Sequence, residues 1–217
     1  DLHLSIRRQR QMCIRDRYYK MAVNIRPEVE VIADDIIAMR RDIHKYPELG
    51  FDEHRTSSLV AEHLRNLEFD VSTGIGKTGV IGDLKGNKGG PTIGLRADMD
   101  ALPIQETGDI PYRSVNDGFM HDCGHDGHTV MLLGAAKYLA ETKNFRGTIV
   151  LIFQPAEEGF AGARAMMKDG LFEKFPVDLI TGGPPCQGFS GIGTRRTYSV
   201  DKKQLPTNHM YQDMAFI

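Results

Sequence analysis

The sequence is poor in cysteine, has no long apolar run, and shows no excess of charge of either sign. Its three cysteines, Cys13, Cys123 and Cys186, are odd in number and far apart. That argues against a disulfide framework and for a reducing compartment, so a cytoplasmic location is expected. No stretch is long enough to span a bilayer, and the arginine-bearing N-terminus lacks the apolar segment of a secretory signal, so no membrane partner is expected. The 27 Lys and Arg residues against 29 Asp and Glu leave a net charge of −2, which removes any bulk argument for a nucleic-acid partner. Internal repeats and low-complexity tracts are also missing.

What is present suits a domain of ordinary size. The 217 residues are 41% hydrophobic, enough to bury a sizeable core. The first 20 residues stand apart. Arg7, Arg8, Arg10, Arg15, Arg17 and Lys20 face only Asp1 and Asp16, with little amphipathic order. A basic nucleic-acid arm is one reading. A non-native or disordered leader over residues 1–20, ahead of a start at Met21, is the preferred one.

From there, hydrophobic periodicity sets out alternating elements. Val29, Ile32, Ile36, Met39 and Ile43 step by three and four residues, the mark of an amphipathic helix, with Pro27 at its first turn and Pro47 ending it. A second helix is expected over residues 55–66. Strands are expected over 69–73 and 80–84, then, after a turn at 87–90, over 92–97. A helix over 127–142 carries Gly134, Ala135 and Ala136 for close packing. Residues 148–153 form a continuous apolar run and so a buried strand. A helix at 162–169 and a strand at 177–181 complete the pattern. Such alternation predicts a layered α/β fold, with chemistry in the loops beyond the carboxyl ends of its strands.

The densest polar cluster lies between Met120 and His128. It holds His121, Asp122, Cys123, His125, Asp126 and His128. Thiolate and imidazole are good ligands for zinc or a similar divalent ion. Cys123 and His125 are two apart, so an extended segment points both to one side. Gly124 and Gly127 let the backbone bend, and the following helix N-terminus favours a thiolate. A cysteine–histidine nucleophile pair and a plain polar helix cap are the other readings. Glu157 and Glu158 sit just past a predicted strand. Alone they would be surface charge. Beside a Cys/His cluster they divide the labour, one binding metal and the other taking a proton from the attacking water. Asp98 could orient a ligand histidine from behind, or simply form a turn. Asp100 is given no role.

Four motifs occur in order: Arg41-Asp-Ile-His-Lys-Tyr-Pro-Glu-Leu-Gly50, Leu95-Arg-Ala-Asp-Met-Asp-Ala-Leu-Pro103, Cys123-Gly-His-Asp-Gly-His128 and Gln154-Pro-Ala-Glu-Glu158. Residues 22–178 thereby resemble the aminoacylase-like metallopeptidase family, nearest to its branch of hippurate hydrolases and N-acyl-amino-acid amidohydrolases. The resemblance implies an α/β/α catalytic domain, truncated here to its N-terminal half over residues 21–178. It implies a two-metal site of zinc, manganese or cobalt. Cys123 matches the bridging ligand, His125 and Glu158 further ligands, Glu157 the general base and Asp98 a position behind the ligands. The implied reaction is hydrolysis of the amide bond of a small N-acyl amino acid.

After Asp178 the pattern changes. The branch places another histidine ligand soon after a pair like Val177-Asp178, then a dimerising lid domain and a final histidine ligand, none of which is recognisable here. Instead Gly182-Gly-Pro-Pro-Cys-Gln-Gly-Phe-Ser190 resembles the nucleophile loop of cytosine-5 DNA methyltransferases. That resemblance, over residues 179–217, implies Cys186 as the nucleophile toward a flipped cytosine, with DNA as partner and S-adenosylmethionine as cofactor. The motif that would hold that cofactor is absent. The expectation is therefore a chimera whose amidohydrolase part is inactive in this form. A methyltransferase fragment and a non-catalytic metal-binding fragment are the alternatives.

Overall fold

The computed structural model describes residues 27–182. The leader at 1–20, Cys186 and the methyltransferase-like motif beyond residue 182 lie outside the described residues. Two compact units are distinguished, residues 1–31 and 32–217. Within the first, the described part is the short helix α1, Pro27–Glu30. The single helix expected from Val29 onward is interrupted, and α2 spans Ala33–Lys45. Three β-branched residues, Val29, Val31 and Ile32, surround the break and weaken helix propagation there.

The second unit is a mixed α/β domain. After α2 come α3 (His54–Asn66), β1 (Asp70–Ile75), β2 (Gly79–Lys85), β3 (Lys88–Asp98), α4 (His125–Thr142), β4 (Arg146–Gln154), α5 (Gly162–Lys168), α6 (Leu171–Lys174) and β5 (Leu179–Gly182). The sheet order is β1-β2-β4-β3-β5. β1 and β2 form an antiparallel hairpin, β2 runs antiparallel to β4, and β3 is parallel to both β4 and β5. The turn expected at 87–90 is shorter, because Lys88 already pairs with Arg146 and a register shift absorbs the residues before Thr92.

Alternation along the strands sorts side chains into two cores. Val80, Leu84, Leu151 and Phe153 join Val60 and Leu64 of α3 and Leu133 and Ala136 of α4 on one face. Ile81, Val150 and Ile152 meet Met166 and Leu171 of α5 and α6 on the other. Gly134 explains how closely α2 and α4 pack, since a Cβ there would lie 3.0 Å from Ile36 Cδ1. Among the described residues, no helix is long and apolar enough to cross a membrane.

This layout places the chemistry. β3 and β4 are parallel neighbours joined through α4, so their carboxyl ends and the N-terminus of α4 come to the same end of the sheet. Leu64 is fully buried where α3 packs over Gly82 of β2. Leu64→Ala is expected to cost about 2–5 kcal/mol, read as a lower urea midpoint with an unchanged slope.

Candidate metal centre

Asp98 is the last residue of β3, paired in register with Gln154, the last of β4. Beyond these two strand ends lie Asp100 on one side and Glu157-Glu158 on the other. Cys123 and Gly124 lead into α4 between them. Gly124 takes φ +85°, a left-handed conformation that suits glycine, and its carbonyl accepts the His128 N–H at 3.1 Å. The helix therefore opens at His125, two residues earlier than the periodicity predicts.

One donor atom each from Cys123, His125 and Glu158 lie within 4.8 Å of one another. His125 is buried, and its Nδ1 faces the Asp100 carbonyl at 2.9 Å and the Asp100 carboxylate at 3.2 Å. That contact fixes the ring and leaves Nε2 for a ligand. The Glu157 carboxylate, also buried, lies 3.7 Å from His125 Nε2. Glu158 is half-buried, and its backbone N–H donates to the second Asp100 oxygen at 2.8 Å. The two adjacent glutamates thus occupy different surroundings.

A second trio, Asp98, His125 and His128, meets the same 4.8 Å criterion. Its hydrogen bonds point elsewhere. One Asp98 oxygen lies 2.7 Å from His128 Nδ1, and the other accepts from Arg96 at 2.7 Å. His125 is common to both groups, and only the Cys123–His125–Glu158 set adds a thiolate to the imidazole and carboxylate. Thiolate, imidazole and carboxylate are the donors a zinc-like ion takes, and the histidine is already oriented from behind.

Residues 94–206 match the family described as peptidase family M20/M25/M40. This chain belongs to that family. Over 160 residues it is 53% identical to a hippurate hydrolase of Campylobacter jejuni, covering 74% of this chain and 42% of that protein. Over 162 residues it is 49% identical to thermostable carboxypeptidase 2 of Saccharolobus solfataricus, covering 73% and 41%. A dinuclear metal-binding peptidase of the M20 family from Bacillus subtilis superposes with a TM-score of 0.67 at 41% identity, over 71% of this chain and 44% of that one. The chain thus spans about two fifths of the length of the curated relatives it matches. The family match runs across Cys186, and no finding from these comparisons supports a methyltransferase part.

In this M20-family chain the charges around the site are mutually dependent. Burial alone would lower the pKa of His125, but the Asp100 hydrogen bond and the charges of Asp98, Asp100 and Glu157 outweigh it and raise the value to about 9. Burial alone would raise Asp98, yet its bond to His128 and the charges of Arg96, His125 and His128 pull it well below the usual carboxylate range. His121 is buried with neither ring nitrogen hydrogen-bonded, and that burial pushes it down to about 4.

Several supporting residues escaped the sequence reading. Asp100 does the histidine-orienting work expected of Asp98. Its spacing of two from Asp98 in an extended segment was the available signal. His44 bridges two buried carboxylates, Asp126 at 2.8 Å and Glu106 at 3.2 Å, tying the loop that carries Cys123 to α2 and α4. The buried carboxylate of Glu53 accepts from Thr78 Oγ1 and from the Ala156 N–H at 2.7 Å. Burial pushes its pKa up, and these hydrogen bonds oppose the rise. Nothing local marks Glu53, because its backbone partner is 103 residues away.

The titrations set a pH dependence for the metal-free chain. His125 is raised from 6.5, so its protonated form contributes fully below pH 6.5, and that stability is lost as pH rises through about 9. His121 is lowered from 6.5, so its contribution is present above pH 6.5 and lost as pH falls through about 4. With chelator present, the urea midpoint is expected to peak near the shared value of 6.5. A midpoint climbing steadily from neutral to alkaline pH would contradict this assignment.

Proposed function

We propose that this chain carries the N-terminal part of the catalytic domain of a metal-dependent amidohydrolase acting on small N-acyl amino acids of the hippurate type. The observation that carries the reading is the convergence of Cys123, His125 and Glu158 within 4.8 Å, with the buried Glu157 carboxylate beside them. The hippurate hydrolase similarity supports the substrate class. Sparse cysteines support a cytoplasmic setting.

Cys123, His125 and Glu158 would hold the metal; the M20 relative described as dinuclear supports a pair of ions, with zinc, manganese or cobalt as the candidates that these donors suit. A bound ion would polarise the scissile carbonyl and make the attacking water more acidic. The protein's own part is to place and move protons. Asp100 holds the His125 ring through Nδ1, so that Nε2, once deprotonated, faces the ion. Glu157 is the general base: its carboxylate takes the proton of the attacking water and returns it to the leaving amine nitrogen. Asp98, fixed by Arg96, holds the ring of His128 through Nδ1.

Among the described residues three side chains make up this ligand set, so weak metal binding is expected. The expected outcome is cobalt binding that disappears in Cys123→Ser and persists in Glu157→Gln, followed by visible absorption. Hippurate hydrolysis by the chain alone is expected to be negligible. Clear turnover of hippurate that vanishes in Glu157→Ala would overturn that expectation. Absence of cobalt binding would sink the metal-centre reading.

The methyltransferase-like reading of residues 179–217, with Cys186 as nucleophile, rests on the sequence motif alone. Transfer of a labelled methyl group from S-adenosylmethionine to cytosine in DNA, lost in Cys186→Ser, would be needed to support it.

A further inference from the structure

The turn that carries Glu157 and Glu158 is held in an unusual shape. β4 ends at Gln154, and Pro155 has no N–H to give. Ala156 follows with φ +52°, a left-handed conformation that alanine rarely adopts. It is fully buried, so its N–H would be a buried orphan without a partner outside the sheet. Glu53 supplies that partner: one oxygen of its fully buried carboxylate accepts the Ala156 N–H at 2.7 Å. The other oxygen is anchored by the hydroxyl of Thr78, in the turn between β1 and β2. The Ala156 carbonyl accepts from Gly162 N–H at 2.9 Å, at a point where a Cβ on Gly162 would collide with the Pro155 oxygen. Two residues on, Asp100 accepts the Glu158 N–H at 2.8 Å. The dipeptide is thus suspended between two carboxylates, one of which touches no ligand.

We propose that Glu53 is a positioning residue for the metal centre: by fixing the Ala156 backbone in its left-handed conformation, it sets where Glu157 and Glu158 stand relative to His125. The proposal rests on the metal-centre reading above. A buried carboxylate is costly to keep, and an apolar side chain would serve mere packing better. Glu53 earns its place through the amide it holds. Glutamine can repeat the arrangement, with its oxygen on Ala156 N–H and its amide NH2 toward Thr78 Oγ1, whereas alanine cannot.

The test uses the full chain with two measurements. Hydrogen exchange at the amides of Ala156 and Glu158 reads the turn without metal. Cobalt(II) titration, followed by its visible ligand-field spectrum, reads the consequence. In Glu53→Ala both amides are expected to exchange faster while those of β4 do not change. Cobalt affinity should fall about tenfold with an altered spectrum, as losing a group that orients ligands does. Glu53→Gln should restore both. Leu64→Ala, which destabilises the core away from the site, should leave cobalt affinity unchanged. The proposal is overturned if Glu53→Ala binds cobalt like the parent, if Glu53→Gln is no better than alanine, or if Leu64→Ala loses as much affinity. Should Glu53→Ala not fold, Thr78→Val takes its place, with weaker binding in support and unchanged binding against. A parent chain that binds no cobalt overturns the metal-centre reading instead. Exchange at Ala156 and Glu158 then decides the turn by itself, faster exchange in its favour and unchanged exchange against.

Discussion

Asp100 has three acceptors in use: its carbonyl and one carboxylate oxygen face His125 Nδ1, and its other carboxylate oxygen takes the Glu158 N–H. It stands just beyond the end of β3, while its partners come from α4 and from the segment after β4. A single buried side chain therefore ties together three separate pieces of backbone. The orientation of the His125 ring follows from it, and it contributes to the raised affinity of that ring for a proton and to the placement of Glu158. The charge is tolerable in a buried position because every oxygen has a polar partner.

A second network stands behind the first. Arg40 and His44 on α2 both reach Asp126, and His44 also reaches Glu106 in the long loop before Cys123. Glu106 in turn accepts the Ser114 N–H at 2.6 Å and so closes the loop upon itself. Asp126 and Glu106 face opposite ring nitrogens of His44, so the ring is clamped from both sides. The effect is to give a loop of little regular structure a fixed path, which delivers Cys123 to the start of α4.

The sequence made the local part of this legible. Cys123 and His125 lie two residues apart, and Glu157 and Glu158 are adjacent, so residue type and spacing were enough to single them out. The layered α/β fold followed from periodicity, because strands such as β4 are continuously apolar and helices such as α3 are striped. What stayed hidden depends on distance. Glu53 and His44 act on partners 103 and 82 residues away, and nothing in their own neighbourhoods announces it. Asp98 and Asp100 are chemically alike in sequence; only the fold shows which of them holds the His125 ring. Helix boundaries shifted for a related reason. Gly124 looks like a breaker, yet its left-handed conformation starts the helix.

The in-register pairing of Asp98 with Gln154 makes the sheet a ruler. Neighbouring strands sit about 4.8 Å apart whatever their connections do. The starting points of the segments that carry Asp100 and Glu158 are thus set by backbone hydrogen bonds between β3 and β4, whatever the rest of the loop before α4 does. Evolution can lengthen or reshape the distal part of that loop while the spacing of the two strand ends stays constant. Variation in length and constancy of the strand-end spacing then belong to different parts of the chain.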